Sequence, residues 1–89
     1  MKKFLTKQIN VSIVIVNYNG FEYLKNLIES ILRSNLNNYE IIVVDNGSCV
    51  NELKKLSTIP KKSKKIKIIQ LHKNFGPALA RNIGVRNSS

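Results

Sequence analysis

Glu40-Ile41-Ile42-Val43-Val44-Asp45-Asn46-Gly47-Ser48 runs from four aliphatic residues into an acid, an amide, a glycine and a hydroxyl. Hydrophobicity at every position, rather than at every second one, reads as a strand buried on both faces. That is the environment of a parallel sheet. Upstream, Val11-Ser12-Ile13-Val14-Ile15-Val16 has the same character and ends in Asn17-Tyr18-Asn19-Gly20. Downstream, Ile66-Lys67-Ile68-Ile69-Gln70-Leu71 alternates more, which suits an edge strand with one wetter face, and it leads to Asn74-Phe75-Gly76-Pro77.

Helical patterns fill the gaps between these strands. Phe21, Leu24, Leu27, Ile28, Ile31 and Leu32 form one apolar stripe. Asn19, three residues before Glu22, has the spacing of a capping box. Ser48 is placed to cap a shorter second helix with Val50, Leu53 and Leu56 facing inward. Pro77 suits the first position of a third helix carrying Leu79, Ala80 and Ile83. The order β-α-β-α-β-α predicts an α/β fold, a three-stranded parallel sheet with flanking helices. Residues 1–10 read as an N-terminal extension and 11–89 as one domain.

Composition narrows the chemistry. The 89 residues carry 15 Lys+Arg against 5 Asp+Glu, a net charge of +10, with 43% hydrophobic residues. A chain this short holds one small domain with a thin core. Cys49 is the only cysteine and His72 the only histidine, which excludes a disulfide scaffold and a two-Cys, two-His zinc site. Met1-Lys2-Lys3-Phe4-Leu5 begins like a secretory signal, but Thr6, Lys7, Gln8 and Asn10 interrupt it before an apolar core can form. The expected location is cytoplasmic, with peripheral attachment to the inner face of the membrane as an extension of that reading. Seven lysines and no acid lie between Lys54 and Lys67. Such a run reads as a solvated loop or as a contact for an anionic membrane surface or partner. Without interleaved aromatics or a recognition helix, it disfavours nucleic acid.

In an open parallel sheet the carboxyl ends of the strands lie on one edge, where ligands bind. All three turns there carry glycine beside Asn, Asp or Ser, and three helix starts would aim N–H groups at the same crevice, favouring an anion. The same residue types are also ordinary turn formers. Asp45, the only Asp, is suited to accept hydrogen bonds from a base N–H or a ribose hydroxyl, or else to close an Asx turn. Arg81, one turn into the third helix, is suited to a pyrophosphate or to plain solvent exposure. His72 and Cys49 read as a packed or solvated residue and a turn residue. No G-x-G-x-x-G, Walker motif, nucleophile elbow or paired carboxylate site is present, and no residue reads as catalytic or as a metal ligand.

The stretches 11–20, 41–48 and 74–84, taken together, resemble the start of a family-2 glycosyltransferase with the GT-A, Rossmann-like fold. The resemblance implies that the backbone from Val16 through Asn17 and Tyr18 to Asn19 cradles a nucleotide base, and that Asp45 beside Asn46 bonds a pyrimidine. It implies that Asn74, Gly76 and Arg81 line the ribose and diphosphate side. Asn17 stands where many members carry Thr or Ser, and Asn46 where many carry a second Asp. The Asn-Tyr-Asn-Gly and Asp-Asn-Gly-Ser variants resemble a rhamnosyltransferase-like subset. The implied function is binding of a nucleoside-diphosphate sugar for transfer to an acceptor. The alternative is a nonenzymatic interaction module that contacts an anionic surface through Lys54–Lys67. Members continue into an Asp-x-Asp metal motif and a catalytic base beyond the matched stretches. The chain is therefore expected to stop short of that motif, to be inactive alone, and to bind no cation itself; Mn or Mg belongs to a full-length enzyme. The family's 3-2-1 strand order would leave strand one as an apolar edge. Self-association there, or pairing with a complementary C-terminal chain, is expected.

Overall fold

A computed structural model describes residues 9–89; residues 1–8 of the predicted N-terminal extension 1–10, with its signal-like start, lie outside the described residues. The elements are β1 (Val11–Asn17), α1 (Phe21–Leu32), β2 (Tyr39–Asn46), α2 (Val50–Leu56), a 3-10 turn at Pro60–Lys62, β3 (Ile66–Leu71) and α3 (Pro77–Arg86). All strand pairs are parallel, in the order β1-β2-β3. The predicted α/β class and all three strands are thus present, with β1 and β3 as edges.

β2 is buried along its whole length. Period-two alternation sends Tyr39, Ile41 and Val43 to one face, where they meet Phe21, Leu24 and Ile28 of α1, Leu56 of α2 and Ile59. Ile42 and Val44 point to the other face and pack with Val14, Val16, Ile69 and Ala80 of α3. Helices therefore cover both faces, which explains why the strand lacks polar positions. Gly84 is the close-approach point of α3: a Cβ there would run into Val14 and Val44. Glycine lets the helix lie directly on the sheet.

Four local expectations are corrected. The cap of α1 is Gly20, not Asn19, and the Phe21 N–H donates to Glu52 Oε1 of α2 at 2.9 Å. Asn19 instead takes a left-handed conformation (φ 51°) and its Oδ1 accepts the Cys49 N–H, so it ties two turns together rather than capping its own helix. Ser48 does not cap α2 either; Cys49 occupies that position, and the Ser48 side chain turns back to Asp45. Val50, predicted inward, is exposed because it opens α2 at the sheet rim. Leu27 is also half exposed, since α1 overhangs β1 where no further strand lies among the described residues. A shallow apolar hollow of about 270 Å³ remains there between Ile15, Tyr18, Tyr23 and Leu27.

Glu40 was not singled out by the sequence, yet its carboxylate is buried near the start of β2. It accepts from Ser12 Oγ and from the Ser89 N–H, with the Lys67 ammonium 3.8 Å away. The Ser12 hydrogen bond, then the Ser89 N–H and Lys67, hold its pKa below the ordinary 4.5 against the opposing effect of burial. A lowered folded pKa contributes stability above the unfolded value, and that contribution is lost as pH falls through the folded value. Urea midpoints are expected to stay level from neutral pH towards the unfolded value and to drop below it. Glu40→Gln should start lower and show a shallower acid limb; parallel limbs in the two proteins would rule out this linkage.

Candidate functional site

The alternation that builds the core also sorts the polar residues ending β2. Asp45 continues the series of Ile41 and Val43 and turns toward β1 and the start of α2. Asn46 continues the series of Ile42 and Val44 and turns toward the β3–α3 loop. One dipeptide thereby anchors all three turns at the carboxyl edge.

Asp45 is fully buried. Its Oδ1 accepts from Asn17 Nδ2 at 3.0 Å and from Ser48 Oγ at 2.6 Å, and its Oδ2 accepts the Ser48 N–H at 2.9 Å. Ser48 Oγ in turn accepts the Asn19 N–H at 2.8 Å. The local alternative read from the sequence, an Asx-type turn, is thus realised, with an added link to β1. Asn46 is equally committed: Nδ2 donates to Asn74 Oδ1 and to the Gly76 carbonyl, both at 3.2 Å, and Oδ1 accepts the Phe75 N–H at 3.0 Å. Asn74 Oδ1 also receives the Gly76 N–H.

Buried and exposed candidates therefore have different parts. Asn17, Asp45, Asn46 and the unpredicted Ser48 are buried and hold the loops. Tyr18, Asn19, Asn74 and Arg81 are exposed and available to a ligand, while Val16 packs against the core on the α3 face. Gly76 has φ +89°, and nothing lies within 4 Å of where a Cβ would stand, so the backbone is open to close approach. The expectation of three free helix starts is corrected. Glu52 takes the first N–H of α1, Asn19 the cap N–H of α2 and Asn74 the cap N–H of α3, whose first residue, Pro77, has none. What favours an anion at α3 is the absence of an acid from its first turn, where α1 has Glu22 and α2 has Glu52. His72 and Cys49 are both exposed, and His72 packs edge-on against Phe75.

The profile of Glycosyl transferase family 2 matches residues 12–89. This chain belongs to that family. A glycosyltransferase of Rickettsia felis is 38% identical over 88 residues, which are 99% of this chain and 14% of its relative. The glycosyltransferase YwdF of Bacillus subtilis is 46% identical over 81 residues, covering 89% of this chain and 28% of its own. This family-2 segment therefore spans a minor share of the curated relatives it matches. Among solved structures, the mannosyltransferase PcManGT from Pyrobaculum calidifontis, in complex with GDP-Man and Mn2+, superposes with a TM-score of 0.81. That match is 17% identical and covers 94% of this chain and 26% of the other. Staphylococcus aureus TarS residues 1–349 give 0.78 at 24% identity, over 91% and 25%. At these identities the likeness establishes the fold, which is that of the N-terminal part of a GT-A glycosyltransferase.

Among the described residues no three of His, Cys, Asp and Glu come together in a way that could hold a metal.

Proposed function

We propose that this segment forms the nucleotide subsite for a nucleoside-diphosphate sugar in a glycosyl-transfer reaction. The observation that carries the reading is the joining of three loops at one sheet edge through Asp45 and Asn46. Buried side chains fix the loops there, and exposed ones project from them. Tyr18, Asn19 and the backbone from Val16 to Tyr18 form the base side. Asn74, Gly76, Arg81 and the start of α3 form the ribose and diphosphate side. Support comes from family membership and from a structural neighbour whose complex contains GDP-Man.

Chemically, the site binds and orients. Arg81 offers a planar fork to diphosphate oxygens, and Gly76 allows the backbone to come close to them. Asp45 acts through what it holds, because all its oxygen partners are protein donors and its side chain is closed off. Because Asp45 is fully buried, contact between a pyrimidine N–H and its carboxylate requires the surrounding turns to move.

Titration calorimetry with UDP, dTDP and GDP, each with and without Mn2+ or Mg2+, tests the reading. One nucleotide is expected to bind, and Arg81→Ala is expected to weaken it about tenfold, the loss of a charge-assisted hydrogen bond. Because Arg81 is exposed, its thermal unfolding should be unchanged. Absence of binding by all three nucleotides to the folded chain overturns the proposal.

A further inference from the structure

The family-2 reading leaves the surplus positive charge unused. Parallel strands with return helices place the helix C-termini and the strand starts at the same end of the sheet. Lys62 meets Glu29 near the end of α1, Lys67 meets Glu40 at the start of β2, and Lys67 Nζ donates to the Asn87 carbonyl just beyond α3. The seven lysines from Lys54 to Lys67 therefore share this end with Arg33 and Arg86. Glu29 and Glu40 are acids among them, and Glu52 pairs with Lys55 at 3.7 Å, so the end carries a net +6. At the crevice end and along the helices leading to it, Lys25, Lys73 and Arg81 stand against Glu22 and Asp45, a net +1. Within residues 9–89 nearly all of the net charge lies at the end opposite the nucleotide crevice.

Helix-dipole complementarity accounts for part of this, since Lys54, Lys55 and Arg86 sit in last helical turns. It does not account for Lys61, Lys62, Lys64, Lys65 and Lys67, which lie in the 3-10 turn, the loop and the first residues of β3. Exposed aliphatic side chains accompany them: Ile9 and Val11 at the start of β1, Leu36 between α1 and β2, and Val85 near the end of α3. Ile9 lines the same hollow, about 420 Å³, as Lys64, Lys65 and Lys67. Exposed aliphatics at the crevice end, such as Val50 and Leu79, have no comparable surplus of cations beside them.

We infer that the strand-start end of this domain docks on an anionic lipid surface, with the nucleotide crevice facing away from it. Lysines as compact charges follow a diffuse negative potential, and exposed aliphatics can enter the headgroup region beside them. The loop cations are all Lys rather than Arg, so the bidentate fork suited to nucleic-acid phosphates is missing from the loop. The aromatic ring among them, Tyr39, is buried beneath Lys65 and is not open to a base. β2 is eight residues long, which separates the two ends by about 25 Å. No helix among the described residues is long and apolar enough to cross a membrane.

Co-sedimentation of the 89-residue chain with vesicles of phosphatidylcholine, alone or mixed with phosphatidylglycerol, tests the inference. Binding is expected to the mixed vesicles alone and to fade as salt rises. Lys54, Lys61 and Lys64 are exposed and belong to none of the ion pairs among the described residues. Lys54→Ser/Lys61→Ser/Lys64→Ser is expected to weaken partitioning about a hundredfold, roughly fivefold per lysine. An environment-sensitive dye on the exposed Cys49, at the crevice end, should not respond to vesicles. The same dye on Val85→Cys in a Cys49→Ser background should shift to the blue. Equal binding to both vesicle types, no binding, or a response at Cys49 alone overturns the inference. So does binding of a short RNA under conditions where the anionic vesicles are ignored. These outcomes are independent of nucleotide titration, so either proposal can fail without the other.

Discussion

Replacing Gly47 by valine is expected to remove the cooperative unfolding transition. Gly47 has φ +84°, a region that a β-branched residue enters only under strain. A Cβ there would also fall 2.6 Å from the Asn74 backbone nitrogen and 2.7 Å from the Lys73 Cα. These are backbone atoms of the neighbouring loop, so no side-chain rotation relieves the overlap. The strain of a sparsely populated conformation costs about 1–3 kcal/mol. Displacing the Lys73–Asn74 backbone would add the loss of the Asn46–Asn74 hydrogen bond and its neighbours. Together these approach the whole stability of a small domain, about 5 kcal/mol at the low end. Gly76 provides the control. Its φ is nearly the same at +89°, but open space surrounds the Cβ position. Gly76→Ala should therefore cost the conformational strain alone and leave a cooperative urea transition at a lower midpoint. If Gly47→Val unfolds with a midpoint like that of Gly76→Ala, the packing of the two loops is looser than their geometry indicates.

The contrast between these glycines shows what a sequence can and cannot display. Both sit in turns after strands, and nothing local distinguishes them. The difference is made by a loop 26 or more residues away. β2 was legible because burial on both faces leaves an unbroken apolar run, a signal carried by consecutive residues. The start of α3 was legible because Pro77 fixes a backbone angle wherever it stands. The capping box at Asn19 failed for the opposite reason: its competing partner, Cys49, lies thirty residues on in the chain. Leu27 had the right spacing for the core, but the width of the apolar stripe exceeds the width of sheet beneath it. Gly84 gave no sign of its contact with Val14 and Val44, since a glycine in a helix looks like a weakness until the sheet is known. At the site, the residue types identified the edge, and the three loops do meet there. Their division into buried anchors and exposed contacts followed only from the alternation of β2 carried through to Asp45 and Asn46.

That division sets the expected behaviour of Asp45. Asp45→Ala removes the acceptor of three donors: Asn17 Nδ2, Ser48 Oγ and the Ser48 N–H. In a buried site, leaving such donors without partners costs about 1–3 kcal/mol each at most, and the turn will relax to recover part of it. A loss of about 3–5 kcal/mol is expected, comparable to breaking a buried charged network. Asp45→Asn should cost less, because the carbonyl oxygen can still accept from Asn17 and Ser48 Oγ while its amide opposes the Ser48 N–H. Ser48→Ala keeps Asp45 intact but cuts the link from its carboxylate through Oγ to the Asn19 N–H. If Asp45 works by holding the turns, Ser48→Ala should lower nucleotide affinity although the Ser48 side chain is itself buried. Its effect and that of Asp45→Asn should then be strongly non-additive in the double variant. If Asp45 instead bonds the base directly, Asp45→Asn should lose binding with its urea midpoint unchanged, and Ser48→Ala should bind normally. Calorimetry and unfolding on the same four proteins separate the two outcomes, because only the positioning role couples affinity to stability.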